Sequence, residues 1–147
     1  MDIKELKPTS IWHYFDAITG VPRPSKKEER IREFLLNFAK EQNLEVKVDK
    51  TGNVVITKEA TPGCEGAPTV ILQAHMDMVC EKNGDVKHDF ERDPIETYID
   101  GEWVKARGTT LGADNGIGMA AAMAVLADKE LKHGRIQALF TVDEETG

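Results

Sequence analysis

The chain has 147 residues, 40% of them hydrophobic and 31% charged, and its 26 acidic against 19 basic side chains give a formal net charge of -7. This is the composition of one globular domain, too apolar for intrinsic disorder and without an apolar run long enough to span a bilayer. The acidic balance and the lack of clustered Lys and Arg argue against nucleic acid as the main partner, which leaves small molecules and metal ions.

The first residues, "MDIKELKP", lack the basic-then-apolar pattern of a signal peptide and the Arg-rich pattern of a transit peptide, so a cytoplasmic location without membrane contact is expected. A helix is predicted over "TSIWHYFDAITG", stopped by Gly20 and the rigid "VPRP". Ser25 followed three residues later by Glu28 has the spacing of a capping box. Ile31, Phe34, Leu35 and Phe38 then recur at helical spacing through "KKEERIREFLLNFAKEQN", which predicts an amphipathic helix. "LEVKVDKTGNVVITKEA" reads as a β-hairpin around Gly52, and the apolar run Val70–Leu72 in "TVILQAHMD" as a strand covered on both faces. "IETYIDGEWVKA" reads as a second hairpin, turning at Asp100-Gly101. "NGIGMAAAMAVLAD" is small and apolar almost all round and predicts a buried helix, and "RIQALFTVD" predicts a last strand. The order α, α, hairpin, β, hairpin, α, β gives an α/β fold class, a mixed sheet sandwiched by helices. Cys64 and Cys80 form neither a disulfide framework nor a CxxC pair and read as reduced thiols.

Three clusters of metal-capable side chains fall where apolar elements end: "HMD" at 75–77, "GADNG" at 112–116 and "DEE" at 143–145. In open α/β folds, ligands gather at the carboxyl ends of strands, where residues far apart in sequence can meet. A two-zinc hydrolase needs imidazole and carboxylate ligands and a free carboxylate beside the bound water, and each type is present. Residues two apart in a strand point the same way, so Asp77 can accept the ring N–H of His75 and select the nitrogen that faces a metal. Asp114, at a helix entrance built with Gly112, Gly116 and Gly118, could bridge two cations. Glu144 and Glu145 are adjacent and diverge, so one can hold metal while its neighbour takes a proton from water. Each cluster alone has an ordinary reading, Asp114 as a helix N-cap and the glutamates as a solvated strand end; together and in this order they point to metal binding. His13 and His133 read as helix packing, surface or punctuation, and His88 as a loop residue. "GIGMAA" at 116–121 also fits G-x-G-x-x-A, with Asp143 as the ribose acid, but the polar "KARGTTLGADN" before it is no strand and Asp114 would oppose a pyrophosphate.

With these residues in view, the chain resembles the co-catalytic zinc peptidases, the family of aminoacylases and of carboxypeptidase-like and tripeptidase-like enzymes. Within it the chain is most similar to the bacterial Xaa-His dipeptidases, also called aminoacyl-histidine or carnosinase-like dipeptidases. "VPRPSKKEE", "LQAHMDMVCEKN", "HDFERDPI", "GTTLGADNGIG" and "LFTVDEETG" carry the resemblance in that branch's order, across essentially the whole chain. The resemblance implies that His75 binds one zinc, Asp77 orients it, Asp114 bridges both zincs, Glu144 is the general base and Glu145 binds the other zinc. It implies two Zn ions, with Mn or Co able to share the ligands, a small peptide substrate, and hydrolysis of dipeptides with a C-terminal histidine. It further implies an acidic and a histidine ligand beyond Gly147, with an inserted domain that makes the longer protein a homodimer. Residues 1–147 are therefore expected to be a partial metallopeptidase catalytic domain, the N-terminal part of a longer enzyme, with weak or partial metal occupancy and little activity alone. The alternatives are a non-catalytic remnant or binding module of the same fold, or another member such as a tripeptidase or aminoacylase.

Overall fold

The computed structural model describes residues 1–147. After a short 3-10 turn at Ile3–Glu5, helix α1 runs Thr9–Thr19 and ends at Gly20, whose N–H bonds the carbonyls of Asp16 and Ala17. Helix α2 covers Glu29–Glu41 and buries Ile31, Leu35, Phe38 and Ala39, the face that the periodicity predicts. It starts later than expected, because Pro24–Lys27 forms a tight turn with Lys26 at φ 70° and the Lys27 N–H bonded to Pro24 O. Strands β1 (Glu45–Val48) and β2 (Val54–Lys58) form the first hairpin, its loop held by Asp49 Oδ1, which accepts the N–H groups of Thr51, Gly52 and Asn53.

Strand β3 is Val70–His75, and β4 (Thr97–Asp100) with β5 (Trp103–Ala106) makes a separate two-stranded ribbon. Asp100 pairs with Trp103, so the turn is Gly101-Glu102, one residue later than expected; Gly101, at φ 62°, supplies the left-handed conformation there. Helix α3 (Ala113–Ala127) leads to β6 (Ile136–Thr141).

The main sheet has the order β1-β2-β6-β3, with β6 antiparallel to β2 and parallel to β3. It is thus the expected mixed sheet, with α3 in the long connection that a parallel pair requires. Val54 lies opposite Phe140 and Ile56 opposite Ala138, with Ala74 on the other side of Phe140, and these side chains join those of α1, α2 and α3 in one core. β3 departs from expectation. It is an edge strand bonded only to β6, and Val70 and Ile71 are 52% and 61% exposed rather than covered on both faces. No helix is long and apolar enough to cross a membrane. Cys64 and Cys80 are unpaired, His13 is exposed beside Tyr14, His88 stacks edge-on against Phe90, and His133 Nδ1 lies 2.6 Å from Gly134 O.

Candidate metal centre

The ladder between β3 and β6 builds the centre. His75 is the last residue of β3 and lies opposite Thr141, and the Met76 N–H bonds Thr141 O at 2.7 Å, so the carboxyl ends of the two parallel strands finish side by side. Beyond β6 the chain turns through Asp143, at φ 56°, into a 3-10 turn at Glu144–Thr146. The "HMD" and "DEE" clusters, 68 residues apart, thereby share one edge of the molecule.

The start of α3 brings in the third cluster. Gly112, at φ 78°, turns the chain into it, and Asp114 and Asn115 keep non-helical backbone angles, with a cis peptide between them. Asn115 caps the helix, its Oδ1 accepting the Gly118 N–H at 3.1 Å. Asp114 is therefore not the cap. Its exposed carboxylate faces His75, with Oδ1 at 2.9 Å from Nε2.

Around the buried His75 the structure brings together every residue that the sequence nominated. Nε2 is 2.9 Å from Asp114 Oδ1, 3.6 Å from Glu144 Oε2 and 3.8 Å from Glu145 Oε1. Nδ1 is 2.9 Å from the carbonyl oxygen of Asp77 and 3.2 Å from its Oδ1. With the Nδ1 proton given to Asp77, Nε2 is the nitrogen that points at the carboxylates. Burial opposes a charged imidazole, but Asp114, both oxygen types of Asp77, and Glu144 outweigh it and raise the His75 pKa. An imidazolium proton on Nε2 occupies the place that a metal ion would take.

Asp77 is wholly buried. Its Oδ2 accepts Ser25 Oγ–H at 2.6 Å and the Glu145 N–H at 3.1 Å, and its Oδ1 accepts the Glu144 N–H at 3.1 Å. Burial alone would push the Asp77 pKa up; the Ser25 hydroxyl and the amides of Glu145 and Glu144 overcome that and hold it below the usual carboxylate value. Arg23, also buried, donates from Nη1 to Met76 O and Asp77 O and from Nη2 to Gly112 O, tying the end of β3 to the entrance of α3. Burial lowers the Arg23 pKa to about 10, with Cys80 and Asp77 pulling the other way, so it is charged at neutral pH. A Cβ on Gly112 would lie 2.5 Å from Arg23 Nη2, and one on Gly116 would lie 2.8 Å from the same atom and 3.2 Å from Phe15. Of the glycines of "GIGMAA", Gly116 thus serves close packing against the buried guanidinium and Gly118 against the capping Asn115 side chain, not a phosphate.

Three supporting residues escaped the reading of the sequence for function: Arg23, Ser25 and Glu28. The capping box is not formed. Glu28 stands at the N-cap position of α2 without a side-chain cap bond, the Ser25 hydroxyl goes to Asp77, and the Glu28 carboxylate accepts the Asp143 N–H at 2.8 Å. α2 forgoes about 1 kcal/mol of capping as a result. The signals in the sequence were the stretch "VPRPSKKEE", which carries part of the resemblance without a role for any one residue, and its polar run, which a local reading assigns to the helix.

The donor set fits a divalent cation. One ligand atom each from His75, Asp114 and Glu145 lie within 4.8 Å of one another, and donors about 2 Å from a tetrahedral zinc sit roughly 3–3.5 Å apart. An imidazole with carboxylates is a combination that zinc, manganese and cobalt all accept. Asp77, Asp114, Glu144 and Glu145 also gather more negative charge than the buried Arg23 can neutralise.

Residues 71–147 match the description "Peptidase family M20/M25/M40". The chain is 53% identical to the cytosol non-specific dipeptidase of Escherichia coli (strain K12) over 146 residues, 99% of this chain and 30% of that protein. It superposes on the crystal structure of the aminoacylhistidine dipeptidase from Vibrio alginolyticus with a TM-score of 0.98 and 56% identity, covering 100% of this chain and 30% of that one. A tripeptidase from Staphylococcus aureus shares the fold, with a TM-score of 0.76 at 24% identity over 94% of this chain and 37% of its own. The chain thus spans about a third of the length of these relatives. With over half of its residues matched, those that carry all three clusters, the chain belongs to peptidase family M20/M25/M40.

Proposed function

We propose that residues 1–147 form the N-terminal part of the catalytic domain of a metal-dependent dipeptidase that cleaves dipeptides ending in histidine. One observation carries the metal-dependent reading: a single imidazole nitrogen has carboxylate oxygens of Asp114, Glu144 and Glu145 within 3.8 Å, contributed by two segments distant in the chain. The substrate class follows the names of the two relatives above 50% identity, a non-specific dipeptidase and an aminoacylhistidine dipeptidase. The E. coli relative's name also supports a cytosolic location, and assembly as a homodimer is proposed for the longer protein only.

In this reading His75, Asp114 and Glu145 are the residues that would hold the zinc ions. Bound divalent metal supplies Lewis acidity, which makes water more acidic and polarises a carbonyl oxygen. Asp77 keeps the proton of His75 on Nδ1 and so leaves Nε2 free to bind. Glu144, half-exposed and 3.6 Å from Nε2, accepts a proton from the attacking water and returns it to the leaving amine. Its backbone N–H is anchored on Asp77, so the base and the orienting carboxylate move as one unit.

The test uses the longer protein and the 147-residue chain side by side, with zinc titration and hydrolysis of a dipeptide panel. Glu144→Gln is expected to lower turnover by roughly 10²–10⁴ while zinc content is kept, and His75→Ala to lose the zinc. Full turnover in Glu144→Gln would remove Glu144 from its role. The 147-residue chain is expected to bind zinc weakly and turn over little; ordinary turnover by it would overturn the partial-domain reading.

A further inference from the structure

Four residues within Arg23–Glu28 reach all three of the segments that converge on His75. Arg23 bridges the end of β3 and the entrance of α3. Ser25 bonds the carboxylate of Asp77. The Lys26 N–H donates to Asp143 Oδ1 at 2.7 Å, and Glu28 accepts the Asp143 N–H. The segment is itself fixed, since the Met78 N–H bonds Arg23 O at 3.0 Å, Pro24 bridges to Met78, and Lys27 closes the turn onto Pro24.

Within it, Ser25 has the most specific task. A carboxylate offers about four acceptor positions. Asp77 accepts the Glu144 N–H at Oδ1 and the Glu145 N–H and the Ser25 hydroxyl at Oδ2, while Oδ1 also lies 3.2 Å from His75 Nδ1, whose hydrogen-bond contact is with the Asp77 carbonyl oxygen. Three of these partners belong to the residues whose positions matter for chemistry. Ser25 is the fourth, the one donor that fixes the carboxylate from outside the set. At 2.6 Å it is also the shortest of the four contacts.

We propose that Ser25 is a positioning residue: by locking the rotation of the Asp77 carboxylate it sets the His75 ring and the Glu144-Glu145 turn in one register before any cation arrives. This rests on the metal reading given above. Its role is separable from a general loss of stability by a local readout, because the one hydrogen bond of the hydroxyl is to Asp77. Outer partners of this kind typically govern metal affinity by 10–100-fold.

The experiment compares the wild-type chain with Ser25→Ala and Ser25→Thr. Magnetisation-transfer NMR on the metal-free proteins follows exchange at the Glu144 and Glu145 amides and at the β6 amides, and competition with a chromophoric chelator gives zinc affinity. Ser25→Ala is expected to speed exchange at 144 and 145 by about tenfold or more with β6 unchanged, and to weaken zinc binding 10–100-fold. Ser25→Thr, which keeps a hydroxyl, is expected to restore both. Unchanged exchange at 144 and 145 in Ser25→Ala overturns the inference whatever the metal result, and so does a failure of Ser25→Thr to restore it. Equal loss of protection in β6, or failure of Ser25→Ala to fold, assigns the hydroxyl a merely structural part and overturns it too. Failure of both the wild-type chain and the longer protein to take up zinc sinks the metal reading instead, and the exchange comparison still decides the role of Ser25.

Discussion

The buried carboxylate of Glu28 accepts the backbone N–H of Asp143 at 2.8 Å, so an acid from the start of α2 supports the acidic turn that carries Glu144 and Glu145. Burial, the Asp143 carboxylate and Asp77 together raise the Glu28 pKa from 4.5 to about 7, against the pull of the Asp143 N–H. Between those values the folded chain holds a proton that the unfolded chain has released. Stability from this group is therefore full below 4.5 and falls as pH rises to about 7, by roughly 3 kcal/mol at most. Glu28→Gln is expected to flatten that slope in urea melts between pH 5 and 8 and to raise the midpoint at pH 8. A slope as steep as the wild type's would show that Glu28 is ionised throughout.

His75 obeys the same sign, in a window that begins at a higher pH. Its raised pKa means that the metal-free fold gains stability from the imidazolium, fully below the unfolded value of 6.5, and loses it as pH rises through the higher folded value. A cation needs the same nitrogen unprotonated. Zinc affinity is expected to fall steeply with acidity once pH drops below the folded His75 pKa, and saturating zinc to abolish the ring's titration, as read by histidine ring NMR. A His75 titration that zinc leaves unmoved would exclude Nε2 as a ligand.

Gly112 and Gly63 both have positive φ, but only Gly112 is hemmed in, with Arg23 Nη2 at 2.5 Å and Met78 Sδ at 2.7 Å from a built Cβ and nothing within 4 Å at Gly63. Gly112→Ala should cost roughly 2–4 kcal/mol, from left-handed strain plus displacement of Arg23. Gly63→Ala carries the strain alone, about 1 kcal/mol. Chemical denaturation of the pair measures the difference, and equal costs would mean that Arg23 yields freely.

Phe140 in β6 is fully buried, whereas Ile71 in the neighbouring β3 is 61% exposed. Phe140→Ala is expected to destabilise the chain by about 3–5 kcal/mol and Ile71→Ala to stay within about 0.5 kcal/mol. A large loss at Ile71 would reveal that its face is covered in solution.

Much of this was legible in the sequence because the signals are local and periodic. The face of α2 that carries Ile31, Leu35 and Phe38, the first hairpin, and the three clusters at element ends all follow from spacing. What spacing cannot read is the partner of a polar group. Ser25 and Glu28 satisfy the capping pattern, yet their bonds run to Asp77 and Asp143, 52 and 115 residues away. Asp114 and Asn115 are interchangeable as caps by composition, and only the backbone at that corner makes Asn115 the cap and frees Asp114. The apolar run of β3 fits a central strand as well as an edge strand, since a neighbour's absence leaves no mark on the residues themselves.

The parallel pairing of His75 with Thr141 makes the imidazole's address discrete. A slip of one residue between β3 and β6 would flip the ring to the opposite side of the sheet, and a slip of two would carry it roughly 7 Å from the turn. Small errors in strand alignment therefore cannot yield a slightly weakened centre; they yield none, and natural variation in this chain can lengthen its outer loops far more freely than it can insert a residue into either strand.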